Sequence, residues 1–356
     1  MGKTTQKPLV SIIIPHYGES SILLRCLQSI AQNTHRDDWE VIIVNSGTAL
    51  DSDVHSVINR ILHAVIITTA NNGYAASINR GIKASVGVYF VIMNNDVEVE
   101  SGWLTPLIEA TESATDIAGA QGKVLSLRDK KTFDYAGGAG GYIDIFGYPF
   151  CRGRVFSSLE KDIGQYDNVQ EIFWTCGVCM CISRRAFEKV GLFDEIFFMY
   201  GEEIDWCWRA RMHGMKFLFS PESVIYHAGS ANTKQWKSQK KIYYLHRNHM
   251  LMLIKNYSTS RLLLILPIKL AMEIVSISYY LVTTPTSALA VISAFCWNIS
   301  HFHRLFIYRA MHQKQRLVSD NKIWKSMLCR SVAFDYFILK KTRFPQLNHK
   351  ISHVPT

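Results

Sequence analysis

Apolar runs of five or six residues alternate with segments of helical periodicity through the first hundred residues. The runs are rich in Val and Ile, and they predict buried strands at residues 9–14, 39–44, 63–68 and 88–93. Residues 20–32 and 75–84 instead predict helices, the first with apolar side chains repeated along one face. Strands that alternate with helices imply βαβ units, so the predicted fold class is α/β, with a mainly parallel sheet flanked by helices.

The same signals continue as far as residue 231. They predict strands at residues 173–183, 217–219 and 224–226, and helices at residues 184–190 and 203–213. Residues 134–170 are rich in Gly and aromatic side chains and predict a long irregular or hairpin segment. After residue 231 the pattern changes to amphipathic helices, which places a domain boundary near residue 233.

Polar clusters follow the predicted strands at residues 16–19, 45–47, 71–73 and 94–96. In a parallel sheet, ligands bind beyond the carboxyl ends of the strands, where these clusters meet. The sequence therefore predicts one crevice lined by all four clusters, with the segment at 134–170 lying over it.

Charge is distributed unevenly along the chain. Residues 234–356 contain 19 Lys and Arg against three acidic residues, a net charge of +16, whereas residues 1–233 carry −6. Apolar stretches at 262–266, 274–282 and 288–297 interleave with these basic residues. That combination favours an anionic membrane surface over nucleic acid. Residues 1–8 are polar and hold no apolar signal segment, so neither export nor disulfides are expected.

The apolar stretch at 262–282 is interrupted by Pro267, Lys269 and Glu273, which disfavours a simple membrane-spanning helix. Two arrangements with the membrane remain open: interfacial helices lying on the cytoplasmic leaflet, which the sequence favours, or a shallow hairpin. A third alternative is an ordinary helical subdomain packed on the first domain, which could also form a dimer.

Three cysteines, Cys176, Cys179 and Cys181, form a C-x-x-C-x-C cluster in an apolar run. A zinc or redox site would need a second Cys or His pair at ligand spacing, and none stands nearby. Buried cysteines acting as small apolar residues are therefore the preferred interpretation.

Six motifs stand in order between residues 10 and 227. They are Pro15-His16-Tyr17 with Glu19; Asn71-Asn72-Gly73-Tyr74-Ala75 with Asn79-Arg80-Gly81; Asn94-Asn95-Asp96; residues 173–185 with Gly177; Gly191-Leu192-Phe193-Asp194-Glu195 with Tyr200-Gly201-Glu202-Glu203-Ile204-Asp205; and Val224-Ile225-Tyr226-His227. Together they resemble family 2 glycosyltransferases of the GT-A fold, particularly the bacterial rhamnosyltransferase-like branch.

The resemblance implies a Rossmann-like GT-A catalytic domain at residues 1–233, followed by a basic, helical, membrane-associating region at 234–356. It implies an inverting, metal-dependent sugar transferase of the EC 2.4 type. Mg²⁺ or Mn²⁺ would be held by Asp96 and His227, and Glu203 would be the general base. Most relatives have Asp at that position, so Asp205 is an alternative base. Alone, each of these residues has a simpler explanation: a turn residue, a core histidine or a helix cap.

The resemblance also implies binding residues for donor and acceptor. Those for the nucleotide sugar are Pro15, Tyr17, Glu19, Asn45, Gly73, Asn79, Asn95 and Asp96. Those for the acceptor are Gly177, Glu202 and Trp206. Asn45 stands where relatives usually carry Asp, and its amide oxygen can accept from N3–H of uracil or thymine, which favours a UDP- or dTDP-linked donor.

The expected partners are a nucleotide-diphosphate sugar, with rhamnose a candidate sugar, and a lipid-linked or cell-surface polysaccharide acceptor. The expected location is peripheral, on the cytoplasmic face of the cell membrane, with no nucleic acid bound and an oligomer possible. Two alternatives remain: a catalytically silent GT-A-fold binding module, and a nucleotidyltransferase. The second is disfavoured because residues 15–19 lack the glycine-rich, Arg-containing loop of that class.

Overall fold

The computed structural model describes residues 8–61, 63–229 and 238–347. The strands in these ranges are β1 (Val10–His16), β2 (Trp39–Asn45), β3 (Ala64–Thr68), β4 (Tyr89–Met93), β5 (Val97–Val99), β6 (Ile117–Ser126), β7 (Gly141–Ile143), β8 (Pro149–Cys151), β9 (Arg154–Val155), β10 (Ser158–Leu159), β11 (Gln170–Ile172), β12 (Cys179–Ser183) and β13 (Lys216–His227). The predicted strands that open the chain are confirmed to within two residues.

The helices in the same ranges divide into two groups. Those of the first part are α1 (Ser20–Asn33), α2 (Ser52–Ile58), α3 (Tyr74–Ala84), α4 (Leu104–Glu112), α5 (Arg184–Val190) and α6 (Glu202–Met212). Those of the second are α7 (Ser238–Asn256), α8 (Thr259–Thr283), α9 (Pro285–Ser300), α10 (Phe302–Lys314), α11 (Asp320–Trp324), α12 (Val332–Phe337) and α13 (Phe344–Leu347). The predicted boundary at residue 233 lies outside the described residues.

The main sheet has the order β11–β13–β6–β12–β4–β1–β2–β3, with β5 paired to β13. One half is parallel as predicted, since β1 pairs with β2 and β4, and β2 with β3, in parallel register. The other half is mixed, because β12 runs antiparallel to both β4 and β6. The fold is therefore α/β with helices on the sheet, and its β-branched strands are buried because both faces are covered.

Two predicted strands have different limits in the structure. The strand predicted at 173–183 begins only at Cys179, because residues 173–178 cross toward the smaller sheet, where Phe173 donates to the Gly141 carbonyl at 2.8 Å. The short strands predicted at 217–219 and 224–226 are one strand, β13, with a register shift between Ser220 and Val224.

The segment at 134–170 forms a second sheet of four short strands, ordered β10–β9–β8–β7. This agrees with the predicted hairpin character. Its turns use glycines with positive φ, including Gly138 at 46° and Gly153 at 87°. A Cβ at Gly138 would lie 2.5 Å from the Arg152 carbonyl oxygen, so this crossing requires glycine.

The second group of helices packs on the first part of the chain. Arg309 of α10 joins two helices of this group by donating to the carbonyls of Ile254 and Tyr257 at the end of α7, both at 2.5 Å, and the Tyr257 hydroxyl donates to the Ile145 carbonyl of the first part at 2.7 Å. The amide of Val332 at the start of α12 donates to the buried Asp144 carboxylate at 2.9 Å. Among the described residues, α8 is the one helix whose length and apolar composition would allow it to cross a membrane.

Candidate active site

Asp96 and His227, called the Asp–His pair below, lie side by side at the edge of the main sheet. Asp96 directly precedes β5, and His227 ends β13; these two strands pair so that His227 stands opposite Val97. The amide of Ala228 donates to the Asp96 carbonyl at 2.9 Å, which closes the ladder. His227 Nε2 consequently lies 3.2 Å from Asp96 Oδ1, and both side chains are largely buried.

A second carboxylate, Asp134, holds the other side of the imidazole. Its Oδ1 lies 2.9 Å from His227 Nδ1 and also accepts from the Ala136 amide at 2.8 Å. Burial alone would lower the pKa of His227, but hydrogen bonds with Asp134 and Asp96 raise it to about 10. Sequence reasoning missed Asp134 because the irregular segment around it carries no periodic or motif signal.

Glu202 and Glu203, called the acid pair below, begin α6 directly after Gly201, which has a left-handed φ of 88°. Glu202 is buried and Glu203 half-buried. Burial, and then the Glu203 charge, raises the pKa of Glu202; burial also raises the pKa of Glu203. Among the described residues, one carboxylate oxygen of each and the Tyr200 hydroxyl are buried without a hydrogen-bond partner.

Tyr74, the first residue of α3, contacts the chain close to both pairs. Its hydroxyl oxygen lies 2.9 Å from Asn94 Oδ1 and 2.8 Å from the Gly177 carbonyl oxygen, and its one proton can be donated to either. Burial, followed by the charges of the acid pair and then of Asp96, raises the pKa of Tyr74 well above its usual value. The Tyr74 amide also donates to the Phe198 carbonyl at 2.7 Å, so Tyr74 joins the turn before Asp96 to the segment that leads into the acid pair.

The residues predicted to grip the nucleotide at the end of β1 face solvent. Tyr17 and Glu19 are exposed and Pro15 half-buried, so a ligand can reach them. Gly73, with a φ of 98°, packs against Phe198, and a Cβ there would lie 2.6 Å from the Phe198 carbonyl oxygen. Gly73 is thus required for close packing of two loops at the crevice.

Asn45, the last residue of β2, is buried and uses its side-chain amide locally. Its Oδ1 accepts from the Gly47 amide at 3.0 Å, and its Nδ2 donates to the Thr48 carbonyl at 2.8 Å. These bonds hold the turn after β2. The predicted pairing of Asn45 with a uracil or thymine base would therefore have to share an oxygen that is already engaged.

Asn79, predicted to bind the nucleotide sugar, uses its side-chain amide for contacts within the protein. Its Nδ2 donates to the Phe193 carbonyl and to Glu195 Oε1, each at 2.9 Å, and its Oδ1 accepts from the Phe193 amide at 3.1 Å. Both amide protons are used in joining α3 to the segment before α6. Asn79 is buried, and its bonds hold residues 193–195 of the chain that leads to the acid pair.

Asn95 contacts a histidine that belongs to the first motif. Its Nδ2 lies 2.6 Å from His16 Nδ1, and both side chains are buried. Burial lowers the pKa of His16 to about 4, so the ring is neutral at physiological pH. His16 Nε2 is buried with no hydrogen-bond partner in the described part of the chain, which makes it a polar atom available to a ligand beside Asp96.

Asp205 does not face the crevice. It is fully buried, with Oδ2 at 3.0 Å from both Lys255 Nζ and Arg209 Nε, and Oδ1 accepts from Asn256 Nδ2 at 2.9 Å. Burial alone would raise its pKa, but the charges of Lys255 and Arg209 lower it to about 2. Asp205, predicted as an alternative base, therefore anchors α6 to α7 through contacts of its carboxylate with Lys255, Arg209 and Asn256.

Of the predicted acceptor residues, Trp206 lies in the core. It is fully buried, its indole N–H donates to the Gly191 carbonyl at 2.8 Å, and its ring packs on Phe187 and Phe193. No surface is left for a sugar to stack on. Gly177, by contrast, is half-buried beside the Tyr74 hydroxyl, and Glu202 lies in the acid pair.

A family model described as Glycosyl transferase family 2 matches residues 11–191, just over half of the chain. The chain belongs to glycosyltransferase family 2. A second model, Glycosyl transferase family group 2, matches residues 151–310, which extends the likeness of this family 2 protein into α10.

Two curated relatives illustrate where this family 2 protein stands. It is 24% identical over 230 residues to O-antigen biosynthesis protein RfbC of Myxococcus xanthus, a match covering 64% of this chain and 18% of that protein. It is also 24% identical over 242 residues to the N-acetylglucosaminyl-diphospho-decaprenol L-rhamnosyltransferase of Mycobacterium tuberculosis, covering 63% and 78% of the two chains.

The fold is shared with a solved glycosyltransferase. The crystal structure of GalNAc-T7 with UDP, GalNAc and Mn²⁺ superposes with a TM-score of 0.51 at 16% identity, covering 68% of this chain and 50% of that one. This likeness establishes the GT-A fold of the family 2 protein.

The cysteine cluster of the family 2 protein lies in the core. Cys176, Cys179 and Cys181 are buried and unpaired, and burial raises the pKa of Cys181 to about 12, so its thiol stays protonated. In the described ranges, no group of three or more His, Cys, Asp and Glu side chains is arranged to hold a metal ion.

Proposed function

We propose that the chain is an inverting glycosyltransferase that moves a sugar from a UDP- or dTDP-linked donor onto a lipid-linked or surface glycan. The observation that carries this proposal is that Tyr74 contacts both parts of the candidate site: its hydroxyl bonds to Asn94, two residues before Asp96, and its amide bonds to Phe198, four residues before Glu202. One group can hold the leaving diphosphate and the other can activate an acceptor hydroxyl, which are the two requirements of glycosyl transfer.

The Asp–His pair fits one side of a divalent cation site. Neighbouring ligands of an octahedral Mg²⁺ at about 2.1 Å lie about 3 Å apart, and His227 Nε2 and Asp96 Oδ1 are 3.2 Å apart. Asp134 fixes the imidazole from behind, as carboxylates do behind metal-binding histidines. Two protein ligands suffice where the diphosphate oxygens supply the others. When bound, Mg²⁺ or Mn²⁺ would neutralise charge on the departing diphosphate.

Glu203 is the proposed general base. It is more accessible than the buried Glu202, and burial raises its pKa toward the range in which a carboxylate removes a proton effectively. Glu203 would take the proton of the acceptor hydroxyl, whose oxygen then bonds to the anomeric carbon. The bond between that carbon and the donor diphosphate breaks on the opposite face, which inverts the configuration.

The helical region offers a surface suited to a membrane. Lys269 and Glu273, which interrupt the apolar stretch of α8, point into the protein: Lys269 Nζ lies 2.8 Å from the Tyr148 hydroxyl, and Glu273 Oε2 lies 2.5 Å from His246 Nδ1. The outward side of α8 is left apolar, with exposed side chains that include Leu263, Ile268, Ile274, Val275, Tyr279 and Val282.

The start of α7 links the corner between α8 and α9 to the segment before the acid pair. Gln239, at the start of α7, donates to Thr286 at the start of α9, and Lys241 lies over the rings of Tyr135 and Tyr200 at 5.4 and 5.9 Å. The corner between α8 and α9 is therefore near the acid pair. We propose peripheral docking of this face on the cytoplasmic leaflet, with basic side chains of α10 meeting anionic headgroups. A lipid-linked acceptor would then reach Glu203 from the membrane.

The decisive experiment measures transfer by the full chain from UDP- and dTDP-sugars, with Mg²⁺, Mn²⁺ or a chelator. We expect metal-dependent release of nucleoside diphosphate, and a loss of about 10²–10³-fold in Asp96→Ala. Thermal shift with nucleoside diphosphate and metal reports binding separately. Binding without release of nucleoside diphosphate from any donor would instead indicate a silent binding module. Full activity of Asp96→Ala in the chelator would contradict the metal role.

A further inference from the structure

The segment that carries the acid pair into the crevice has an unfavourable backbone. Within Ile196–Gly201, two aromatic residues adopt positive φ: Phe198 at 61° and Tyr200 at 70°, followed by Gly201 at 88°. Side chains with a Cβ rarely occupy this region, and such residues persist only where their surroundings fix them. The contacts that fix this segment therefore also determine where α6 begins.

Two buried side chains of α7 supply those contacts. Asn248 Nδ2 lies within hydrogen-bond distance of three carbonyl oxygens, at 3.1 Å from Phe197, 2.8 Å from Met199 and 2.6 Å from Tyr200. Arg247 Nη2 donates to the carbonyls of Ile196 and Phe197 at 2.8 and 2.7 Å. Two neighbouring residues of α7, a helix that is not part of the main sheet layer, thus orient four carbonyls of the segment. These are the carbonyls of Ile196, Phe197, Met199 and Tyr200.

The two donors are themselves fixed. Arg247 Nε donates to Asn248 Oδ1 at 2.8 Å, so the amide must turn its nitrogen toward the carbonyls. The guanidinium lies over the rings of Tyr244 and Trp297 at 4.8 and 4.6 Å, and the Tyr244 ring stacks on Phe198 at 5.5 Å. A guanidinium with fixed planar geometry can hold this arrangement, whereas a flexible ammonium makes fewer of these contacts.

A lysine of α7 also forms ion pairs with the chain on both sides of Ile196–Gly201. Lys255 Nζ lies 2.6 Å from Asp194 Oδ2, just before it, and 3.0 Å from Asp205 Oδ2, just after it. Lys255 is fully buried, so both ion pairs are shielded from solvent. The contacts of α7 are therefore concentrated on the chain that presents the acid pair.

We infer that Arg247 and Asn248 are positioning residues for glycosyl transfer, holding Ile196–Gly201 so that Glu203 points at the acceptor. The inference rests on the proposed function. It assigns the helical region a part in the reaction, in addition to any membrane contact. Because Asn248 touches backbone of this segment and not the Asp–His pair, its loss should affect turnover and leave donor binding intact.

The test compares Asn248→Ala with Asn298→Ala. Asn298 is a buried amide of α9 that donates to the Arg247 and Ala294 carbonyls at 3.2 and 3.0 Å and does not touch the segment. We expect Asn248→Ala to lower kcat about 10- to 100-fold, the scale of a small misplacement of a catalytic group, with donor KM within about twofold. Asn298→Ala should keep kcat within about twofold. Arg247→Lys, which keeps the charge, should lie between them.

Hydrogen exchange of residues 194–205 gives a readout that does not need turnover. We expect faster exchange in Asn248→Ala and Arg247→Lys than in the wild type, and no change in Asn298→Ala. Equal exchange in all variants would overturn the inference even if no sugar were transferred. Unchanged kcat in Asn248→Ala, with an active wild type, would overturn it while leaving the proposed function standing. An inactive wild type would overturn the proposed function and, with it, the role in glycosyl transfer; altered exchange would then support only the statement that Arg247 and Asn248 hold Ile196–Gly201.

Discussion

The two halves of the candidate site are held by different means. Asp96 and His227 are brought together by the ladder between β5 and β13, so ordinary sheet hydrogen bonds fix their separation. The acid pair sits beyond a strained segment whose carbonyls are held by α7, a helix outside the sheet. The first half depends on the fold alone, whereas the second depends on a region that the sheet does not define.

This difference suggests how the family 2 scaffold can be adapted. A site formed by strand ends stays the same whatever packs around the sheet, and rigid elements position groups more accurately than loops do. A loop capped by an outer helix responds to changes in that helix and in its packing. The proposed acceptor side is the one whose loop is held by α7.

The largest expected effect comes from a substitution in the acid pair. Glu203→Gln keeps the size of the side chain but cannot accept a proton, so transfer should fall about 10²–10⁴-fold with little change in donor binding. Because burial raises the pKa of Glu203, the wild-type rate should fall on the acid side at a pH above the usual Glu value.

Steady-state transfer measured from pH 5 to 8 checks both statements about Glu203. The matched control is Glu188→Gln, an exposed acid on the preceding helix α5, which should behave as the wild type. Equal rates in Glu203→Gln and the control would show that Glu203 is not the base. Glu202 would then be the next carboxylate to substitute.

The next effect tests whether the acid half depends on the helical region for its stability. Asp205→Asn removes the buried carboxylate between Lys255 and Arg209, and should lower the free energy of unfolding by about 3–5 kcal/mol. The folded-state pKa of Asp205 is depressed to about 2, so its contribution is present above about pH 4 and is lost as the pH falls toward 2.

Urea unfolding of the wild type and Asp205→Asn at pH 7 and pH 3 measures this contribution. The difference between the two proteins should shrink at pH 3. Asp51→Asn, at an exposed position before α2, serves as the control. A full-sized difference at pH 3 would show that the substitution acts through packing and not through the charge.

A smaller effect is expected on the metal requirement, which tests the role of the Asp–His pair separately from that of the acid pair. Asp134→Asn weakens the support of the His227 ring, and should raise the metal concentration needed for half-maximal activity about 10- to 100-fold. Excess metal should restore the rate, since no catalytic group has been removed. Titration of Mn²⁺ in the transfer assay checks this, with Asp129→Asn, an exposed acid of the same segment, as control. A rate that stays low at every metal concentration would contradict the assignment.

The resemblance to family 2 named residues in both halves, but only the structure shows what holds each in place. Asp96 and His227 stand 131 positions apart in the sequence, and the pairing of β5 with β13 brings them to 3.2 Å. Asp134 escaped notice because the segment around it has no repeating pattern. The role of α7 escaped because Asn248 contacts the loop across 48 to 51 positions of sequence, a pairing that no local signal encodes.

Residues that share a motif can also differ in what they do. Asn79 and Trp206 stand in motif positions, yet both are buried and bonded to neighbouring backbone. A motif identifies which residues a fold requires, and it does not separate those that contact a ligand from those that hold the loop. That distinction depends on hydrogen-bond partners, which become visible only in the three-dimensional structure.

The smallest expected effect concerns the outer face of the helical region. Val282 is 87% exposed at the end of α8, and burying a side chain of this size in an apolar environment is worth about 1.5 kcal/mol or more. Val282→Asp should therefore lower binding to anionic vesicles about tenfold, while transfer to a soluble acceptor stays unchanged. The control is Ile163→Asp, since Ile163 is 82% exposed outside the helical region. Vesicle co-sedimentation measures both variants. If Val282→Asp binds vesicles as well as Ile163→Asp does, this face is not the membrane contact. A change in the apparent mass of Val282→Asp on size exclusion would then assign the face to a protein interface. In that case α7 would link the acid pair to that interface.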